Sequence, residues 1–163
     1  MNDPQIKQPV TKDYSILFHA ALDIANVAHI RQTTKDGLPY ILHPIHVAMQ
    51  VGSMRQKIVA LLHDAIEDAA PENRNWVARE IRTMGDGIYD DVVSLTRDKG
   101  IDYQDYIDHL VRTGSDDAIM VKLADLEHNM DLSRLPEITD KDLARNEKYA
   151  GVFGRLSDEM NAR

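Results

Sequence analysis

Apolar residues in this chain recur at helical steps and nowhere, over a useful length, at the two-residue step of a strand. No other feature restricts the fold as much. Ile16, Leu17, Ala20, Ile24, Val27 and Ala28 repeat every three or four positions, the stripe expected of a helix from about Asp13 to Gln32. "TTKDGLPY", punctuated by Gly37 and Pro39, reads as a loop. A second helix begins near Ile41, with Pro44 in the first turn where proline is tolerated, and ends about Gly52. A third runs from about Arg55 to Ala70 and stops at Pro71. "PENRNWVAREIRTMG" and "DGIYDDVVSLTRDKG" supply a fourth and a fifth, and Asp102 to Arg112 a sixth. Ser115 caps a seventh that reaches about Asp131, with Asp116 and Asp117 suited to its first turn. Thr139 caps an eighth carrying "KDLARNEKYAGVFGRLSDEM". The pattern predicts an all-α bundle of about eight helices. The 163 residues hold no repeat, low-complexity tract or internal boundary, so residues 1–163 read as one domain, with the informative core over about 13–160.

Composition removes several function classes. There is no cysteine, which excludes thiolate nucleophiles, disulfide chemistry and Cys-rich zinc sites. "MNDPQIKQPVTKD" has no apolar stretch of the kind a secretory leader needs, and no later run approaches the ~20 apolar residues of a membrane span. A cytoplasmic protein is expected, with no membrane partner. The net charge of −8 argues against binding a nucleic-acid polymer through its backbone. A small anionic substrate is compatible with it, provided a metal ion and a few basic side chains are gathered locally. The sequence leaves the oligomeric state open.

"LLHDAIEDAA" carries the chemistry. At about 100° per residue, Asp64, Glu67 and Asp68 fall roughly 100°, 40° and 140° from His63 around a helix. Ile58, Val59, Leu62, Ala65, Ile66 and Ala69 take the opposite arc. One histidine and three carboxylates this close desolvate and repel one another unless a cation lies among them. A solvated acidic face is the bland alternative. The adjacent His63 and Asp64, however, send two kinds of metal-binding atom to neighbouring faces, which suits two corners of an octahedron.

Two further stretches offer ligands. In "PYILHPIHVA", His43 precedes Pro44, which narrows its backbone range and so aims its side chain; His46 lies one turn on. In "VKLADLEHNMD", Lys122, Asp125 and Asn129 share one helical face, with Asp125 a candidate fourth ligand and Asn129 placed to orient it or a substrate. A set of His43, His63, Asp64 and Asp125 mixes nitrogen and oxygen donors. Such a set suits Mn²⁺, Fe²⁺ or Mg²⁺ with open positions better than closed tetrahedral zinc.

These motifs in this order, "AHIRQ", "GLPYILHP", "LLHDAIED", "LTRDKG" and "KLADLEHNM", resemble the HD-domain metal-dependent phosphohydrolases. Among those, the chain is most similar to small stand-alone relatives of the RelA/SpoT hydrolase domain. The resemblance runs from about Ala28 to Asn129 and more loosely to Tyr149. It implies a helical HD domain that removes the 3′-pyrophosphate of guanosine 3′,5′-bis(diphosphate). It also implies metal ligation by His43, His63, Asp64 and Asp125. Glu67 and Asp68 match the pair that positions or deprotonates the attacking water, and Asn129 and Tyr149 fall where the family contacts substrate. Two departures concern the substrate rather than the metal: Thr34-Lys35 stands where Arg-Lys is common, and "ADLEHN", with Leu126 and Glu127, replaces "ADRLHN".

A divalent ion would stabilise phosphoryl charge and lower the pKa of water, and Glu67 or Asp68 would accept the proton. Arg31, Lys35, Arg97, Lys99 and Lys122 are the candidate partners for phosphate charge. Three functions follow: an alarmone 3′-pyrophosphohydrolase, an HD phosphohydrolase for another nucleoside mono- or triphosphate, or a non-catalytic module that binds metal or ligand. The intact Glu67-Asp68 pair weighs against the third, because helix packing has no need of it.

Overall fold

In the computed structural model, which describes residues 13–85 and 87–163, the described residues form nine α-helices and one 3₁₀ turn. Residues 1–12 of the amino-terminal stretch read above for a leader lie outside them. Helices α1 (Tyr14–Ala28), α2 (Leu42–Gln50) and α3 (Met54–Leu62) precede a one-turn α4 (Ala65–Asp68). After α5 (Pro71–Thr83) and α6 (Ile88–Leu95) come α7 (Tyr103–Thr113), α8 (Asp116–Met130) and, beyond a 3₁₀ turn at Leu132–Arg134, the long α9 (Asp140–Ala162). No strand occurs among the described residues, only an isolated bridge between Thr33 and Pro39. No helix among them is long and apolar enough to cross a membrane.

The all-α expectation therefore holds, and the caps explain where several helices begin. Ser115 accepts from the Ala118 N–H at the start of α8. Thr139 and Asp142 exchange side-chain and backbone hydrogen bonds in a capping box that opens α9. Helix α3 is the centre of the assembly: it packs against α1, α2, α6 and α8, and Ile58, Val59, Ala60, Leu61 and Leu62 are all buried in the main core. Because α2, α3 and α8 touch one another pairwise, polar residues at their facing ends meet at one point.

Three boundaries differ from the sequence reading, one of them the end of the fifth expected helix, at Leu95 rather than just before Gly100. The third predicted helix, Arg55 to Ala70, is broken at His63-Asp64 into α3 and α4, so the bundle has one more helix than expected. The cause is the His63 side chain: its Nδ1 lies 2.7 Å from the Ala60 carbonyl oxygen, the group that the Asp64 N–H would use in a continuous helix. The first predicted helix ends at Ala28 rather than Gln32. There the Gln32 amide turns back on the Ala28 carbonyl at 3.3 Å and reaches the Asp68 carbonyl at 2.8 Å. The "TTKDGLPY" loop closes on itself through Thr34 N–H to Leu38 O and Gly37 N–H to Thr34 O, each 2.9 Å. Gly37 has φ +82°, a conformation that glycine adopts without steric cost. The loop returns the chain through Tyr40 to the start of α2.

Candidate active site

His43 in the first turn of α2, His63 and Asp64 at the α3–α4 break, and Asp125 on α8 converge. His43 Nε2 lies 3.2 Å from His63 Nε2, 3.4 Å from Asp64 Oδ2 and 3.2 Å from Asp125 Oδ1. His63 Nε2 lies 3.2 Å from Asp64 Oδ2 and 3.6 Å from Asp125 Oδ1. His43, His63 and Asp125 are buried, and together they form a group able to hold a metal ion. His63 and Asp64 both keep right-handed helical backbone angles at the break, and their side chains still meet at 3.2 Å.

Each of the four side chains has a polar partner. A carbonyl oxygen only accepts, so His63 donates from Nδ1 to Ala60, which leaves Nε2 as the nitrogen that a neutral ring would offer to a cation. Tyr40 Oη donates to Asp64 Oδ2 over 2.6 Å. Lys122 Nζ donates to Asp125 Oδ2 at 2.9 Å, and Asn129 Nδ2 to Asp125 Oδ1 at 2.6 Å. Two imidazole nitrogens and two carboxylate oxygens thus face one another, a donor set that fits a divalent ion. Electrostatics agree. Burial opposes the imidazolium of His63, yet the carboxylates of Asp64 and Asp125 outweigh it and raise its pKa well above the ordinary range. Burial likewise opposes ionisation of Asp125 and Asp64. Lys122 and the histidines hold Asp125 well below the usual carboxylate range, and His63 and His43 do the same for Asp64. The site attracts positive charge, which protons or a cation can supply.

Beside this cluster opens a cleft of about 600 Å³ lined in part by Asp64, Glu67, Asp68, Arg97, Lys122, Asp125 and Asn129. A smaller lobe of about 190 Å³ lies across Tyr40, Asn129, Arg145 and Tyr149, and is lined further by Thr34, Lys35, Asp36 and Arg134. Glu67 Oε2 accepts from the Arg97 N–H at 2.9 Å. The Asp68 carboxyl is pushed up to about 6, first by desolvation in the cleft and then by the charges of Asp64 and Glu67.

The expected residues separate clearly. Arg97, Lys122, Asn129 and Tyr149 border the larger cleft. Lys35 borders the smaller lobe, where its ammonium pairs with Asp142 at 2.6 Å. Arg31 instead faces a shallow groove with His29, Ile30 and Pro39. Lys99 is exposed and lines neither lobe. His46 is not among the converging residues; it stacks on His128 with ring centroids 4.0 Å apart. Leu126 is 1 % exposed, part of the core rather than of either lobe. Sequence reasoning missed Tyr40, Arg145 and Lys148. The spacing of Arg145, Lys148 and Tyr149, which puts them on one face of α9, was the available signal.

No family model matches the chain. It is similar to the guanosine-3′,5′-bis(diphosphate) 3′-pyrophosphohydrolase of Borreliella burgdorferi, 33% identical over 150 residues that cover 83% of this chain and 22% of that protein. It is 30% identical over 116 residues to the bifunctional (p)ppGpp synthase/hydrolase SpoT of Escherichia coli, covering 66% of this chain and 16% of that protein. A GTP pyrophosphokinase of Myxococcus xanthus is 30% identical over 160 residues, 88% of this chain and 21% of that protein. The chain spans about a fifth of the length of these curated relatives. A solved structure of a metazoan ortholog of SpoT that hydrolyzes ppGpp shares the fold, with a TM-score of 0.66 at 24% identity over 94% of this chain and 88% of that one. With the helical architecture and its converging motifs, these similarities mean that the chain belongs to the HD-domain proteins of the RelA/SpoT hydrolase type.

Proposed function

We propose that this domain is a divalent-metal-dependent phosphohydrolase that removes the 3′-pyrophosphate of guanosine 3′,5′-bis(diphosphate). One observation carries the reading: two imidazole nitrogens and two carboxylate oxygens converge at the edge of a cleft whose walls hold both a carboxylate pair and several cations. In this reading His43, His63, Asp64 and Asp125 hold the ion. Nitrogen and carboxylate donors together favour Mn²⁺, with Fe²⁺ and Mg²⁺ as alternatives. When bound, such an ion supplies Lewis-acid stabilisation of phosphoryl charge and lowers the pKa of water.

The chain's own residues do the rest. Glu67 and Asp68 face the cleft and take the proton of the attacking water. Arg97, Lys122, Arg145 and Lys148 surround the same space and offset phosphate charge. Asn129 and Tyr149 border both lobes, which suits contact with a substrate that bridges them, and Thr34 and Lys35 face the nucleoside end. A cytoplasmic location goes with a free nucleotide substrate.

A second reading, hydrolysis of another nucleoside mono- or triphosphate, has one observation in its favour: Thr34, where arginine is common in the alarmone hydrolases, lines the smaller lobe. A panel of nucleotides incubated with excess Mn²⁺ separates the two. Release of pyrophosphate from guanosine 3′,5′-bis(diphosphate) is the expected result. Cleavage of simple nucleotides with the alarmone untouched transfers the assignment to the second reading, and no cleavage of any of them overturns both.

A further inference from the structure

Each ligand of the cluster has a partner behind it, and that of His43 is unlike the others. His43 Nδ1 lies 2.7 Å from Nδ1 of His128, a buried residue on α8 one turn beyond Asp125. Two imidazole nitrogens at that separation share one proton, carried by one ring and accepted by the other. The choice matters because the opposite nitrogen of His43, Nε2, faces His63, Asp64 and Asp125 at 3.2–3.4 Å. If the shared proton belongs to His128, a neutral His43 is protonated at Nε2 and has no lone pair for a cation. If it belongs to His43, Nε2 is bare and His128 is the acceptor.

The surroundings hold His128 in place for the second arrangement. His46 stacks on its ring at 4.0 Å and 20°. Arg134 donates to its carbonyl oxygen at 2.8 Å. The ring borders a small surface cavity with Thr34, His46 and Arg134, where a proton on the far nitrogen can meet water. We propose that His128 is a positioning residue: by accepting the Nδ1 proton of His43 it keeps His43 Nε2 bare toward the other three ligands. The inference rests on the metal-centre reading above.

The test measures Mn²⁺ binding rather than turnover, on the full chain. His128→Phe keeps a flat ring for stacking but has no acceptor, whereas His128→Asn restores an acceptor near the same place. The Mn²⁺ dissociation constant should rise about 10- to 100-fold in His128→Phe, the usual effect of losing a partner behind a ligand. It should return most of the way in His128→Asn. Thermal unfolding in EDTA checks that both variants fold. Imidazole ¹⁵N spectra should show His43 protonated at Nδ1 in the wild type and not in His128→Phe. Wild-type Mn²⁺ affinity in His128→Phe, with an unchanged His43 spectrum, overturns this role alone, as does a His128→Asn no tighter than His128→Phe. If the wild type shows no Mn²⁺ binding that Asp64→Ala removes, the metal centre itself is refuted and the role of His128 with it.

Discussion

Glu67 Oε2 accepts a hydrogen bond from the Arg97 backbone N–H over 2.9 Å, so the α4 turn is tied to the loop between α6 and α7. One carboxylate oxygen is thereby anchored on the wall of the larger cleft. A carboxamide can keep this anchor through its own oxygen but cannot take a proton. Glu67→Gln is therefore expected to retain Mn²⁺ and the loop contact while turnover falls by roughly 10²–10⁴, the usual worth of a general base. Metal content and single-turnover rates measured on the same preparation check this. Turnover like the wild type's would assign the proton to Asp68.

Asp68 should reveal itself through stability as well. The residue is exposed as a whole, but its carboxyl is pushed up to about 6 by desolvation and by Asp64 and Glu67. Its unfolded-state pKa is about 3.9. Between these values the folded state holds more protons than the unfolded one, so this group's contribution to stability declines as pH rises and is lost above about 6. Asp68→Asn removes that penalty. In EDTA, denaturant unfolding should find the variant more stable than the wild type at pH 7, with the advantage shrinking through pH 6 and gone near pH 4. An advantage independent of pH would mean that repulsion among the carboxylates is not its source.

What the sequence disclosed and what it hid divide along physical lines. Caps at Ser115 and Thr139 depend on neighbours three residues away, so they were readable. The break at His63-Asp64 was not, because the sequence does not say which carbonyl a buried imidazole will take, and here it takes that of Ala60. The convergence of His43, His63, Asp64 and Asp125 was legible because each lies in a short motif opposite apolar residues. Tyr40 and His128 were hidden because their meaning is a contact with Asp64 in one case and His43 in the other. Such contacts exist only once α2, α3 and α8 have packed.

The departure "ADLEHN" changes meaning in the fold. Leu126 is buried among the core residues, and Glu127 is exposed and lines neither lobe. Leu126→Ala should therefore cost about 2–5 kcal/mol of stability, as a cavity in a packed core does, and leave the ranking of nucleotide substrates unchanged. Thermal unfolding and the nucleotide panel, run below the variant's transition, test both halves. A changed ranking would return Leu126 to the list of specificity residues.

Arg145 provides the sharpest check on which cations meet phosphate. It borders both lobes, and its guanidinium donates to Asp142 at 2.9 Å, on the same carboxylate oxygen that Lys35 contacts. That pairing holds it at the junction, and a fork of donors there suits a phosphate oxygen pair. Arg31 and Lys99, both singled out from sequence, lie outside the two lobes. Removing a charge-assisted contact to substrate costs about 1.5–3 kcal/mol. Arg145→Ala is accordingly expected to lower kcat/KM about 10- to 100-fold with Mn²⁺ content intact, whereas Arg31→Ala and Lys99→Ala should stay within about twofold of wild type. Without Arg145 the buried Asp142 carboxylate keeps Lys35 and Thr139 as partners, so the loss should appear in kinetics more than in unfolding. Equal losses in all three variants would mean that the cations act through a diffuse field over the surface, and that Arg145 does not touch the substrate.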